Sequence, residues 1–142
     1  MNDEDSKEMA AAGSHGVEYD VRFNRPLNER ELIDTLRSWM KTISSELTSE
    51  RGIIGHIKAF FRCQGGWVRL NLVDLRLDLD VDSSIEGDVR SGRMKIMAAL
   101  VGMKDGDIAG GMDRGTSSFK HDFSDLVRIG ESREKEIIKL EG

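Results

Sequence analysis

The sequence is poor in the residues that staple small domains or carry their chemistry: its 142 residues include one cysteine, one proline, one tyrosine and three histidines. A lone cysteine, Cys63, excludes an internal disulfide and favours a reducing compartment. It also excludes a cysteine-built zinc site, and His15, His56 and His121 show no i,i+4 spacing that would replace one. No apolar run approaches the roughly 18 residues of a membrane span. Met1–Glu8 is acidic and lacks the apolar stretch of a secretory leader. The expectation is a cytoplasmic chain with no membrane partner.

The usual catalytic patterns are missing as well. There is no Gly-x-Ser-x-Gly, and Gly13-Ser14-His15-Gly16 has no acid nearby to orient its histidine. The glycine-rich stretch Gly106–Gly111 is followed by no Lys-Ser or Lys-Thr, so it does not read as a phosphate loop. Asp105, Asp107, Gly110 and Asp113 match a calcium loop only in part. Ala109 and Thr116 stand where an oxygen ligand and a bidentate Glu are required. No catalytic residue, metal or cofactor is assigned, and Cys63 reads as an inert core thiol.

The net charge is −5, and Met1–Glu8 supplies three of those charges: Asp3, Glu4, Asp5 and Glu8 against Lys7. The remainder is near neutral and has no bulk attraction to nucleic acid or anionic membrane. The length suits one domain with a core of its own. Residues 1–16 are expected to form a disordered acidic tail, 17–130 a single α+β domain, and 131–142 a charged C-terminal helix or tail.

Within that domain, Val17, Tyr19, Val21 and Phe23 alternate with polar residues, as in a half-buried strand that Arg25-Pro26 ends. Asn28 with Glu31 makes a capping box, and Leu32, Leu36, Trp39, Met40, Ile43 and Leu47 form one stripe of a helix over 28–48. Gly65-Gly66 between two alternating runs predicts a hairpin pairing Cys63 with Val68, Phe61 with Leu70 and Ala59 with Leu72. That register puts Ile53, Ile57, Ala59, Phe61, Cys63, Val68, Leu70 and Leu72 on the core face. Leu75–Val81 alternates too, with a shifted parity that implies a bulge at Val73-Asp74. Residues 83–103 read as a loop and then a strand over 94–101, with Gly87 and Gly92 against the alternative of a helix capped by Ser83 and Glu86 and striped by Ile85, Val89, Ile96 and Leu100. Residues 104–118 read as loop from their glycines, and Ser117 would start a short helix stopped by Gly130. The fold class is α+β: a mainly antiparallel sheet of four or five strands, one long helix on one face, and a C-terminal helical segment.

The chemically unusual surface is the second face of the hairpin, with His56, Lys58, Phe60 and Arg62 on one strand and Trp67, Arg69 and Asn71 on the other. The expected register sets Arg62 opposite Arg69, and like charges so placed destabilise a sheet. One offset is internal, from Asp78 or Asp80 on the next strand. Another is a protein partner or second copy of the chain, and a third is nucleic acid or a small anion. The leading function is a non-catalytic binding or assembly module, probed at His56, Lys58, Phe60, Arg62, Trp67 and Arg69. The alternatives are a small enzyme or anion-binding protein, with His56 as acid/base and Lys58, Arg62 and Arg69 as anion clamps, and a weak single-stranded nucleic-acid binder.

Overall fold

A computed structural model describes residues 13–48, 55–72 and 79–132. The expected disorder of residues 1–12, the bulge at Val73-Asp74, the core position of Ile53 and the C-terminal segment from 133 lie outside these.

The chain runs β1 (Gly13–Leu27), α1 (Glu29–Thr48), β2 (Gly55–Cys63), β3 (Gly66–Leu72), β4 (Asp80–Ile85), β5 (Val89–Leu100), α2 (Asp105–Asp122) and β6 (Val127–Glu131). Six strands, rather than four or five, form one sheet in the order β4-β3-β2-β5-β1-β6. All the pairings are antiparallel. The architecture is α+β, and both helices contribute to the core on one side of the sheet.

β1 begins at Gly13, four residues before the apolar alternation, because Gly13–Gly16 pair with Met97–Leu100 of β5. A long partner strand carries small polar residues into a sheet that propensity alone would leave out. Pro26 does not end β1. Pairing with β5 breaks after Arg22 and resumes at Leu27, so the missing proline donor falls in the irregular stretch.

α1 starts as expected. Asn28 Oδ1 accepts from the Glu31 amide at 2.9 Å, and Glu31 Oε1 accepts from the Asn28 amide at 3.2 Å. Arg25 reaches the other Glu31 oxygen at 2.7 Å, and the two contacts hold the Glu31 carboxyl below its ordinary value. The stripe Leu32, Leu36, Trp39, Met40, Ile43 and Leu47 is fully buried.

The hairpin keeps its faces and changes its register. Cys63 pairs with Gly66, Phe61 with Val68 and Ala59 with Leu70, so Gln64-Gly65 forms the turn. The slip is two residues, which preserves side-chain parity. Gly66 is used in the strand: its φ is +148°, and a Cβ there would run into the Ser84 carbonyl of β4. The glycine that looked like turn chemistry serves a close approach between strands.

Two further differences have one physical source, a helix where glycine suggested loop. In α2 the buried residues are Ile108, Gly111, Met112, Gly115, Thr116 and Phe119, one face of a helix. A Cβ on Gly111 would lie 2.6 Å from Leu47 Cδ2, and one on Gly115 only 2.7 Å from Ile43 Cα. Each glycine costs about 1 kcal/mol of helix propensity relative to alanine, but it lets α2 lie directly on α1. The helix therefore spans Asp105–Asp122, and Val127–Glu131 becomes the edge strand β6 instead of the end of a short helix. Ser83–Ile85 belong to β4, and β5 starts at Val89, ahead of the expected 94.

The helices are joined to the sheet through Trp39. Its indole stacks on Phe119 of α2 with centroids 5.3 Å apart and planes 5° apart, and meets Tyr19 of β1 at 5.3 Å. Its Nε1–H donates to Thr116 Oγ1 at 3.0 Å, and the same hydroxyl shares a hydrogen bond with Tyr19. Burial, with help from Asp113 and Glu131, pushes the Tyr19 phenol above the ordinary phenol value.

Two outcomes follow. Trp39→Ala removes this joint and should cost about 3–5 kcal/mol in chemical denaturation; a near-neutral result would refute the packing. Tyr19 is the protein's one tyrosine, so tyrosinate absorbance reports its titration directly, above the ordinary value. Because the folded pKa is raised, the unfolded chain loses its proton first. Stability should be intact below about pH 10, the unfolded value, and fall as pH rises from there through the folded one. Tyr19→Phe should remove that part of the slope.

Candidate functional site

Alternation along the strands divides the sheet cleanly. Tyr19, Val21 and Phe23, Ile57, Ala59 and Phe61, Val68, Leu70 and Leu72, and Met94, Ile96 and Ala98 turn toward the helices and are buried. The residues between them form the other, outer face.

The pairings fix that face row by row. One row reads Gly130, Asp20, Arg93, Arg62, Trp67, Ser84 from β6 to β4. The next reads Glu18, Lys95, Phe60, Arg69, Asp82, and the third Gly16, Met97, Lys58, Asn71, Asp80. A fourth holds Ser14, Ala99 and His56. On the far side of the first row, Arg128 opposes Arg22, which opposes Ser91.

A charge plan emerges from this lattice. The outer face of the three central strands, β5, β2 and β3, carries Arg93, Lys95, Lys58, Arg62 and Arg69 and no acid. The acids stand on either side: Glu18 and Asp20 on β1, Asp80 and Asp82 on β4. Neighbouring strands lie about 4.8 Å apart, so the cationic track is about 10 Å wide between its outer strands. Arg93 is held by Asp20 at 3.4 Å and Glu18 at 3.9 Å. Among the described residues, Lys58, Lys95 and Arg62 make no salt bridge.

Two aromatics lie inside this track. Phe60 and Trp67 are half-buried, with centroids 6.2 Å apart and planes inclined by 20°. The Arg69 guanidinium lies over the Trp67 ring, 5.2 Å from its centroid, and not on Asp82 across the strand pair. The indole face thereby attracts a cation that has an acid within its own row. Met97, 51% exposed, adds an apolar contact one row further on.

All six sequence-predicted residues, His56, Lys58, Phe60, Arg62, Trp67 and Arg69, fall on this face. Phe60, Trp67 and Arg69 are brought into contact. Arg62 and Arg69 are not opposed as expected: Arg62 lies between Trp67 and Arg93, and Arg69 between Phe60 and Asp82. The like-charge neighbours are Arg62 and Arg93, so Asp20 and Glu18 supply the internal offset in place of Asp80, which faces Asn71. Asp78 lies outside the described residues. His56 stands six residues along β2 from Arg62, about 20 Å away. Arg93, Lys95, Arg22 and Arg128 were missed. Their signal was present for β5, where Arg93, Lys95 and Met97 alternate with Met94, Ile96 and Ala98.

Among the described residues, three depressions stand out on the surface. One of about 760 Å³ lies on the outer face over β5, β1 and β6, where Arg22, Arg93 and Arg128 surround the bare positions Gly130 and Ser91. A second, about 340 Å³, lies between α2 and β1 and includes His15, Asp113, Ser117, Lys120 and Glu131. The third, about 400 Å³, flanks the Gln64-Gly65 turn. His56 lines none of the three. Among the described residues no group of three or more His, Cys, Asp or Glu is placed to hold a metal ion, and no helix is long and apolar enough to cross a membrane.

No protein-family model and no curated protein matches the chain. Among solved structures it is similar to the Zn(II)-bound YjiA GTPase from E. coli, at 12% identity and a TM-score of 0.38, over 80% of this chain and 32% of that one. A Zn(II)-bound triple mutant of the same GTPase matches at 13% identity, again with a TM-score of 0.38 and the same coverage. The chain spans about a third of the length of those GTPase chains. A likeness of this degree assigns neither family nor activity, and what is specific to the chain is its own outer face.

Proposed function

We propose that this chain is a non-catalytic binding module whose outer sheet face takes an anionic partner. The observation that carries the reading is the charge plan: five cations and two aromatics, without an acid, on the outer face of β5, β2 and β3. A sheet face that served only as a solvated surface would intersperse its signs, and here they are sorted by strand. The sorting also weighs against pairing with a second copy. A two-fold axis through the middle of the face lays the cationic track on itself. The enzyme reading has less to support it, since His56 stands about 20 Å along β2 from Arg62 and lines none of the three depressions described above.

Inorganic polyphosphate, an anion without rings, is the appropriate first probe. At low salt it should raise the melting temperature of the full chain, since a ligand that binds only the folded state stabilises it, and the shift should fade as salt is added. Arg62→Ala should leave the free protein as stable or slightly more so, by about 0.2–1 kcal/mol, because it relieves the contact with Arg93. The same substitution should weaken polyphosphate binding. If Arg62→Ala and Lys95→Ala both destabilise and polyphosphate shifts nothing, the face is a structural charge lattice and the reading is wrong.

A further inference from the structure

Resting on the reading of the outer face as a binding surface, we infer that its partner is single-stranded nucleic acid, with bases stacked on Phe60 and Trp67 and phosphates held by the surrounding cations. Three features of the face converge on this class. The first is the surface of the rings. Phe60 and Trp67 are near-parallel and half-buried on the open sheet face, with Trp67 beside the hairpin turn. The planar Arg69 guanidinium laid on Trp67 extends that surface, and bases stack on guanidinium planes as well as on aromatic rings. Simple anions and polyphosphates have no use for such a platform.

The second feature is the arrangement of charge about the rings. Arg62 and Arg93 lie in the row on one side of Phe60, Lys58 in the row on the other, and Lys95 beside it. A chain crossing the aromatics therefore meets cations on both sides of Phe60 and Arg62 beside Trp67, which suits a polymer that alternates bases with phosphates. The acids of β1 and β4 border the track on both sides. They disfavour an anionic chain anywhere but along β5, β2 and β3.

The third is shape. The face is a sheet, and among the described residues no helix or ribbon projects from it to enter a duplex groove. In a duplex the base faces are already stacked on one another, so Phe60 and Trp67 have access to them only in a single strand. The net negative charge of the whole protein acts weakly at the rings, because the cations of the track lie nearest to them and screening limits each exposed charge to about 8–10 Å.

The test uses the full chain, fluorescently labelled oligo(dT) and oligo(U) of about 12 nucleotides, a matched duplex, and polyphosphate. Anisotropy should show both single strands binding more tightly than the duplex, with affinity falling steeply in salt. The two oligomers separate DNA from RNA as the source of the same chemistry. Trp67→Leu and Phe60→Leu should each weaken single-strand binding about 10-fold and leave polyphosphate binding unchanged, whereas Trp67→Phe should retain most of the affinity. Arg62→Ala and Lys95→Ala should weaken both ligands and each lower the salt slope by about 1. Wild-type tryptophan emission, which needs no variant to fold, should be quenched by oligo(dT) and not by polyphosphate. If polyphosphate binds and the aromatic variants and the emission are indifferent to oligonucleotide, the nucleic-acid proposal is overturned and the anion-binding reading stands. A duplex that competes as well as a single strand overturns the proposal too. If no anion binds, both fall together.

Discussion

The contact on which the rest of the structure depends is the near-touching of the two helices at Gly111 and Gly115. With a Cβ at Gly115 only 2.7 Å from the Ile43 backbone, α2 has no room for any larger residue there. Close packing is what allows both helices to lie on one face. Each helix is about 10 Å across with its side chains, so two side by side cover about 20 Å, and six strands span about 24 Å. A wider crossing would push α2 off the sheet and expose Val127 and Ile129, which are buried on the helix side. The Trp39 indole then joins the two helices to the sheet by stacking on Phe119, meeting Tyr19 and donating to Thr116. All helical cover is spent on one side, and the other remains an open sheet.

An open face must be soluble, and charge is the ordinary means. What distinguishes this one is that opposite charges are not mixed within each strand. Isolated surface ion pairs are worth little, about 0–1 kcal/mol, so stability does not demand the sorting. Lys95 faces Glu18 across β1 and β5 without closing a salt bridge, and Arg69 prefers Trp67 to Asp82. Lys95 and Arg69 are thus not engaged with the acids of their own row.

Much of this was legible in the sequence where a period repeats undisturbed. The stripe from Leu32 to Leu47, the Asn28–Glu31 cap and the alternations of β1, β2 and β3 gave the helix, the strands and the two faces of the hairpin. The six candidate residues fell on one face because parity survives a two-residue slip. Glycine was the failure. Local propensity reads Gly106, Gly110, Gly111 and Gly115 as loop, but Gly111 and Gly115 answer to Leu47 and Ile43, more than sixty residues away. The loss of α2 then concealed β6, since a strand of five residues carries too short an alternation to stand alone. Arg93 and Lys95 were hidden for a related reason. They become part of the site only through the pairing of β5 with β2, a contact that no local pattern announces.

The strict alternation across the sheet has one more consequence, for how such a chain tolerates change. The outer residues of β2 and β3 and those of β5 from Arg93 on have core residues as chain neighbours: Phe60 beside Phe61, Arg69 beside Leu70, Lys95 beside Ile96. Substitution can therefore rewrite the outer surface position by position without touching the interior. Inserting or deleting a single residue within β2, β3 or β5 is different in kind, because everything beyond it in that strand exchanges inside for outside. It would bury arginine and expose leucine together. Length changes fall instead to connections such as Glu86–Asp88 and Val101–Lys104, so descendants of this sequence can diverge in residue identity on the open face but not in strand frame.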